Sequence, residues 1–247
     1  MLKMVTLPIR KFLNGFGYEI VKLQDSLTSV KVGNWLHKLN IQTILDIGSN
    51  EGQFIHTIIK TLPGKKIYAF EPIASCYQNL LLNTKGMNVT AYHCGLSDMN
   101  GESVINVSDN LVSSSILGMK DLHKRLYPES EYTKQERITL RRLDDVFDGK
   151  QLEPGILIKI DVQGYEEKVL AGGGKVIAQA SAIICETSFA PLYDGQWLFG
   201  DVYHYFIQAG YRFIGFADQS LSKITGAPLY GDAIFVKNEL CNSIFQS

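Results

Sequence analysis

Asp46-Ile-Gly-Ser-Asn-Glu-Gly52 puts two glycines and two acids into seven residues. Glycine lets a backbone turn sharply and approach a ligand closely. The helix predicted to follow offers free N–H groups at its first turn. Glu71 lies 19 residues after Gly52, at the end of the next predicted strand. A carboxylate there accepts hydrogen bonds from both hydroxyls of a ribose. Read alone, the first motif leaves a tight turn with a solvated acid as the alternative; Glu71 weighs for a nucleoside site. The dinucleotide pattern G-x-G-x-x-G is absent. Asp46 and Glu51 would oppose a pyrophosphate at the helix start, whereas Asp46 suits a sulfonium cofactor with its ammonium group. An NAD-dependent oxidoreductase is the rival reading.

A second set of residues lies further on. Asp161 closes Gly155-Ile-Leu-Ile-Lys-Ile-Asp161, the clearest buried strand of the chain. It can act as a base, a metal ligand or a cofactor contact, or it can cap the helix after Gly164. Lys159, two residues earlier, lies on the same side of the strand and pairs with a carboxylate. Glu186 ends the next predicted strand as a second acid. Asp161 and Glu186 could offer oxygen ligands to Mg²⁺, but no metal is assigned. Tyr165 and Glu166, at the following helix start, face the site or favour the helix dipole. Ser114 and Ser115 contact cofactor or acceptor, or belong to an ordinary polar loop. Tyr193, Trp197 and Phe199 crowd around Gly195, as a platform for an acceptor or as a lid on the core. His37, His56, His93, His123 and His204 show no metal-ligand spacing and read as structural or exposed, with His204 the exception on the acceptor side.

These residues need a sheet to hold them. From residue 43 onward, short apolar runs alternate with helical spacing, which predicts a parallel sheet covered by helices. Strands are expected over 43–48, 66–71, 89–94, 155–161, 182–186, 211–216 and 232–236, with shorter ones over 103–107 and 137–143. Helices are expected over 54–62, 74–84, 166–172 and 203–209. Residues 112–134, rich in serine and charge, read as a lid or substrate loop. Residues 3–39 read as helical in pieces.

The chain has 247 residues, enough for one large α/β domain. With 24 basic and 25 acidic residues its net charge is −1, so no basic surface is expected for nucleic acid. No apolar stretch approaches the ~18 residues of a membrane span, and residues 1–13 lack a signal-peptide core. That basic segment leaves peripheral membrane contact open. The four cysteines are widely spaced, as in a cytoplasmic protein.

The order Asp46-Ile-Gly-Ser-Asn-Glu-Gly-Gln-Phe54, Ala69-Phe-Glu-Pro72, Gly95-Leu-Ser-Asp98, Ser113-Ser-Ser115, Leu143-Asp-Asp145, Leu157-Ile-Lys-Ile-Asp-Val-Gln-Gly-Tyr-Glu166, Val169-Leu-Ala-Gly172, Cys185-Glu-Thr187 resembles the FkbM-type class I methyltransferases. The resemblance covers about 43–236 and leaves out residues 1–40, taken as an N-terminal extension of a single domain. Ser49 stands where the family pattern suggests alanine.

The resemblance implies an α/β Rossmann-like fold: a seven-stranded, mostly parallel sheet with one antiparallel strand and helices on both faces. It implies S-adenosyl-L-methionine as methyl donor. The implied acceptor is a hydroxyl of a sugar, a glycan or glycolipid precursor, or a secondary metabolite. Cofactor contacts carry over to Asp46, Gly48, Asn50, Gly52 and Glu71, with Leu96 and Ser97 near the adenine; Ser115 and Asp161 are further cofactor candidates on their own positions in the chain. Asp98 is either an adenine contact or part of a turn. Methyl transfer is an in-line displacement at carbon, so positioning supplies much of its catalysis. An alcohol also needs a base or a metal at its oxygen. Asp161, Glu186 and Lys159 are the catalytic candidates. A nucleoside-binding domain without activity is the remaining alternative.

Overall fold

The computed structural model describes residues 33–245. The helical pieces and basic segment expected before residue 33 lie outside the described residues. The parallel strands are β1 (Thr43–Ile47), β2 (Lys66–Phe70), β3 (Val89–Tyr92), β7 (Ile156–Ile160) and β8 (Ala180–Ser188). A small second sheet holds β4 (Gly95–Leu96), β5 (Gly101–Ser108) and β6 (Tyr132–Arg141); β9 (Tyr211–Leu221) and β10 (Pro228–Lys237) form the last hairpin. The helices that matter here are α1 (Gln53–Thr61), α2 (Ala74–Asn83), α3 (Asp121–Leu126), α4 (Leu143–Val146), α5 (Glu166–Gly172), α6 (Gly174–Ile177), α7 (Phe199–Gln208) and α8 (Cys241–Phe245).

The main sheet runs β3-β2-β1-β7-β8-β10-β9. The first five strands are mutually parallel, and β10 is antiparallel to both neighbours. This is the expected seven-stranded sheet. Every residue of β1 and β7 is buried, as an uninterrupted apolar run between two helical layers requires. Alternation sorts the side chains. Leu45, Ile47, Ile158, Ile160 and Cys185 join a core with α4 to α7 on one face. Ile44, Ile67, Leu157, Ile184 and Ile234 join a second core with α1, α2 and α8 on the other.

Four segments differ from the sequence reading. β3 stops at Tyr92, and Gly95–Leu96 turns off to pair with β6. β5 and β6 form a ten-residue-scale antiparallel ladder rather than two short strands. β8 continues to Ser188, so Glu186 lies within the strand. The segment 112–134 is not structureless. It holds α3 and a short 3₁₀ turn at Pro128–Ser130, and it is stitched to the loop after β8: Lys120 N–H donates to Leu192 O at 2.9 Å and Asp194 N–H to Gly118 O at 2.8 Å.

Candidate active site

The chemistry-bearing residues come from one face of the sheet. Asp46 shares the parity of Ile44, Lys159 and Asp161 that of Leu157, Glu186 that of Ile184, and Asp232 that of Ile234. Register completes the row: Asp46 lies beside Lys159, Lys159 beside Ile184, and Glu186 opposite Asp232. With β1, β2 and β7 ending together, this edge opens into a cavity of about 330 Å³. Ligands of open α/β sheets bind at such strand ends.

The turn after β1 forms the first wall. Gly48 has φ +83, and a Cβ there would stand 1.9 Å from the Asp161 carbonyl oxygen. Only glycine lets β1 and β7 close this tightly. Ser49, the departure from the family pattern, is structural: its hydroxyl donates to Asp46 O at 2.7 Å and accepts from Phe70 N–H at 3.1 Å. Asn50 is left-handed, φ 46, and its N–H donates to Glu71 Oε2 at 2.9 Å. Ile73 N–H donates to Glu71 Oε1 at 2.8 Å. Each Glu71 oxygen thus has one partner and keeps accepting capacity toward the cavity it lines. Burial raises its pKa to about 7, against these two backbone hydrogen bonds.

Asp46 is 1% exposed and lines the cavity. Its Oδ2 is the only buried side-chain nitrogen or oxygen without a hydrogen-bond partner among the described residues. Burial pushes its pKa up to about 7. A buried carboxylate oxygen left unpaired costs free energy that a ligand donor can recover. The feature fits a cationic or N–H-bearing group in the cavity and disfavours a phosphate.

The second wall is a network built on Gln163, whose role the sequence did not reveal. Gln163 is left-handed, φ 54. Its Nε2 donates to Asp161 Oδ1 and to Glu186 Oε2, both at 2.8 Å, and its Oε1 accepts from the Tyr193 hydroxyl at 2.8 Å. Lys159 Nζ donates to Asp232 Oδ1 at 2.7 Å and to Asp161 Oδ2 at 3.4 Å. Burial opposes the Lys159 charge, but Asp161, Asp232 and Glu186 outweigh it and hold the ammonium above the ordinary lysine range. Lys159 is therefore a fixed cation, not a proton acceptor. Burial and the adjacent Asp161 raise the Glu186 carboxyl well above the usual carboxylate range.

Several expected contacts are elsewhere. Gly52 (φ +93) does not line the cavity; its open side faces Leu80 of α2 and Thr84 just past that helix. Ser97 is buried, with its hydroxyl toward Asp98 Oδ1 at 3.1 Å and Tyr165 OH at 3.2 Å. Ser115 donates to the Gln163 carbonyl at 2.7 Å and so orients the loop rather than a ligand. Asp98 pairs with Lys168 at 3.0 Å, away from the cavity. Asp161 does not cap α5. No side chain caps that helix; Glu166, its first residue, instead ties down the preceding turn, accepting from Val162 and Gly164 N–H at 3.2 Å each. Trp197 and Phe199 pack on Tyr205 and on Phe189, Phe213 and Phe216, so of the aromatic trio only Tyr193 lines the cavity. His204 is exposed, its Nδ1 2.6 Å from Gly200 O; His123 lines the cavity instead. Asp46, Gly48, Asn50, Glu71, Leu96, Lys159, Asp161 and Glu186 do share its walls, with Ser114 and Tyr165. Among the described residues, no group of three His, Cys, Asp or Glu is arranged to hold a metal, and none of their helices is long and apolar enough to cross a membrane.

A profile of the methyltransferase FkbM domain matches residues 46–213. Methyltransferase sdnD of Sordaria araneosa is 36% identical over 154 residues, covering 52% of this chain and 59% of that protein. The 2-O-methyltransferase NoeI of Sinorhizobium fredii (strain NBRC 101917 / NGR234) is 30% identical over 164 residues, covering 62% and 66%. The chain therefore matches less than two thirds of the length of either relative. Magnesium protoporphyrin IX methyltransferase of Synechocystis PCC 6803 aligns at 13% identity with a TM-score of 0.44, over 94% of this chain and 96% of that one. The matched segment runs from the end of β1 through β8 and contains the Asp46–Glu71 wall with Asp161, Gln163, Glu186 and Tyr193, and on it the chain belongs to the FkbM methyltransferase domain family, whose cofactor is S-adenosyl-L-methionine.

Proposed function

We propose that this chain transfers a methyl group from S-adenosyl-L-methionine to a hydroxyl of a sugar, a glycan or glycolipid precursor, or a related polyhydroxylated molecule. The observation that carries the reading is one cavity with two unlike walls. The first has the unpaired Asp46 Oδ2 and the half-used Glu71 carboxylate, which suit an ammonium group and ribose hydroxyls. The second has Asp161, Gln163, Glu186, Tyr193 and Tyr230, a density of donors and acceptors suited to a polyol. The cofactor supplies an activated methyl group at a good leaving group. The residues supply placement: Asp46 and Glu71 hold the donor, Gln163 fixes Asp161 and Glu186, and Lys159 neutralises charge beneath them. That NoeI is named a 2-O-methyltransferase supports an oxygen acceptor. In this reading the chain acts in the cytoplasm, without a nucleic-acid partner.

Thermal-shift titration tests the donor: S-adenosylhomocysteine should raise Tm through linkage, and NAD should not. Methyl-labelled donor with a panel of simple methyl glycosides tests the acceptor. A Tm shift with NAD and none with S-adenosylhomocysteine would sink the reading.

A further inference from the structure

We propose that His123 is the base that takes the acceptor's proton, through Nε2; this rests on the hydroxyl-methylation reading above. The argument starts from Ser130, which is fully buried. A serine hydroxyl has one hydrogen. Ser130 Oγ lies 2.6 Å from Tyr127 O, 3.2 Å from His123 Nδ1 and 3.8 Å from Met119 Sδ. The short contact to the carbonyl, which can only accept, claims that hydrogen. Oγ is then an acceptor toward His123, so Nδ1 must carry the imidazole proton. The neutral ring is left with its lone pair on Nε2. The hydrogen bond at one ring nitrogen in this way decides the role of the other.

Among the described residues Nε2 has no hydrogen-bond partner, and His123, though only 4% exposed, lines the cavity. The Tyr127 and Tyr193 rings hold the imidazole from two sides, each with its centroid 5.2 Å away. Burial lowers its pKa, against the Glu129 carboxylate, so the ring is neutral at pH 7 and able to accept. The other titratable groups that line the same cavity are Asp46, Glu71, Cys94, Lys159, Asp161, Tyr165, Glu186 and Tyr230.

Asp161 accepts once at each oxygen, from Gln163 and from Lys159, Glu186 accepts from Gln163, and Lys159 is a fixed cation. The proton balance is simple. The acceptor O–H bond breaks and its proton moves to His123 Nε2. The oxygen's electron pair forms the O–CH₃ bond as the C–S bond breaks, its pair remaining on sulfur. The imidazolium, still donating from Nδ1 to Ser130, then loses the Nε2 proton to solvent. Ser130 is a positioning residue.

Imidazole ¹⁵N NMR of the whole chain tests the tautomer without turnover, with His123→Gln assigning the signal. We expect protonated Nδ1 and bare Nε2 at pH 7.5, and titration below the ordinary histidine value; an Nε2–H tautomer overturns the proposal. On a methyl glycoside that the wild type methylates, His123→Gln should lower kcat by on the order of 100-fold with S-adenosylhomocysteine affinity unchanged in calorimetry. Ser130→Ala should move the acidic limb of the kcat/KM–pH profile. Wild-type turnover in a His123→Gln protein that binds S-adenosylhomocysteine overturns the base and leaves methyl transfer standing. A wild type that binds S-adenosylhomocysteine but methylates no hydroxyl compound overturns the hydroxyl reading, and the base with it.

Discussion

Asp46→Asn should make the empty protein more stable at alkaline pH while weakening its hold on the donor. The folded Asp46 carboxyl has its pKa raised from 3.8 to about 7 by burial. Between these values the folded chain keeps a proton that the unfolded chain has released. Stability from this group is therefore fully present below about pH 4 and falls as pH rises through 7. A shift of about three units corresponds to ~4 kcal/mol well above pH 7, at ~1.4 kcal/mol per unit. Of this, ~2–3 kcal/mol is lost between pH 5 and pH 8. Asparagine is nearly isosteric and does not titrate, so it removes that part of the slope. Glu71 and Glu166, also raised to about 7 by burial, keep theirs. Urea unfolding of both proteins at pH 5 and 8 measures the difference. The same substitution removes the anion proposed to face the donor's ammonium, so calorimetry should show S-adenosylhomocysteine affinity rising with pH in the wild type and less steeply in the variant, where Glu71 still titrates. Equal pH slopes of stability in the two proteins would refute the electrostatic account of Asp46.

Glu71→Ala should weaken S-adenosylhomocysteine binding by more than it lowers Tm, because Asn50 and Ile73 N–H lose a partner near an open cavity where water can replace it; unchanged affinity in calorimetry removes the ribose role. Gly48→Ala should unfold or cripple the site, since its Cβ would meet Asp161 O at 1.9 Å, whereas Gly195→Ala, left-handed at φ +72 but with nothing within 4 Å, should cost only the ~1–2 kcal/mol of left-handed strain. Equal urea midpoints for the two variants would show that the close approach does not matter. Lys159→Met should cost about 3 kcal/mol at pH 8, near the low end for a broken buried pair, because Asp161 and Asp232 keep 33% and 28% side-chain exposure. A wild-type urea midpoint at that pH would exclude Lys159 as the charge that holds the acids together.

Much of this was legible in the sequence where burial on both sheet faces forces a continuous apolar run. The runs holding Asp46, Lys159 and Asp161 declare their strands, and period two then places Lys159 and Asp161 together. The second sheet was harder to read because Tyr132–Arg141 is mostly exposed, so its charged residues look like loop. Ser97 and Ser115 sit in recognisable motifs, but a motif does not say which way a hydroxyl points, and both point into protein. His123 carried no signal at all. It lies on a six-residue helix and reaches the cavity only because residues 118–120 pair with the loop at 192–194, some 70 positions later. No local periodicity encodes such a contact.

The same geometry sets the charge that the proposed donor would meet. Asp46, Glu71, Glu166 and Glu186 are all pushed upward by burial, and Lys159 is the cation set among the acids of the second wall. Each of these carboxyls costs folding stability once the pH exceeds its unfolded value. Glu166 recovers part of that through two backbone N–H groups, and Glu71 through two more. Asp46 Oδ2 has no such compensation within the protein. A pyrophosphate would add like charge to this wall, whereas a ligand bearing an ammonium and a sulfonium relieves it. In the proposed reading, the destabilisation of the empty site and its preference for a cationic donor are one electrostatic quantity, as in other sites where function is bought with stability.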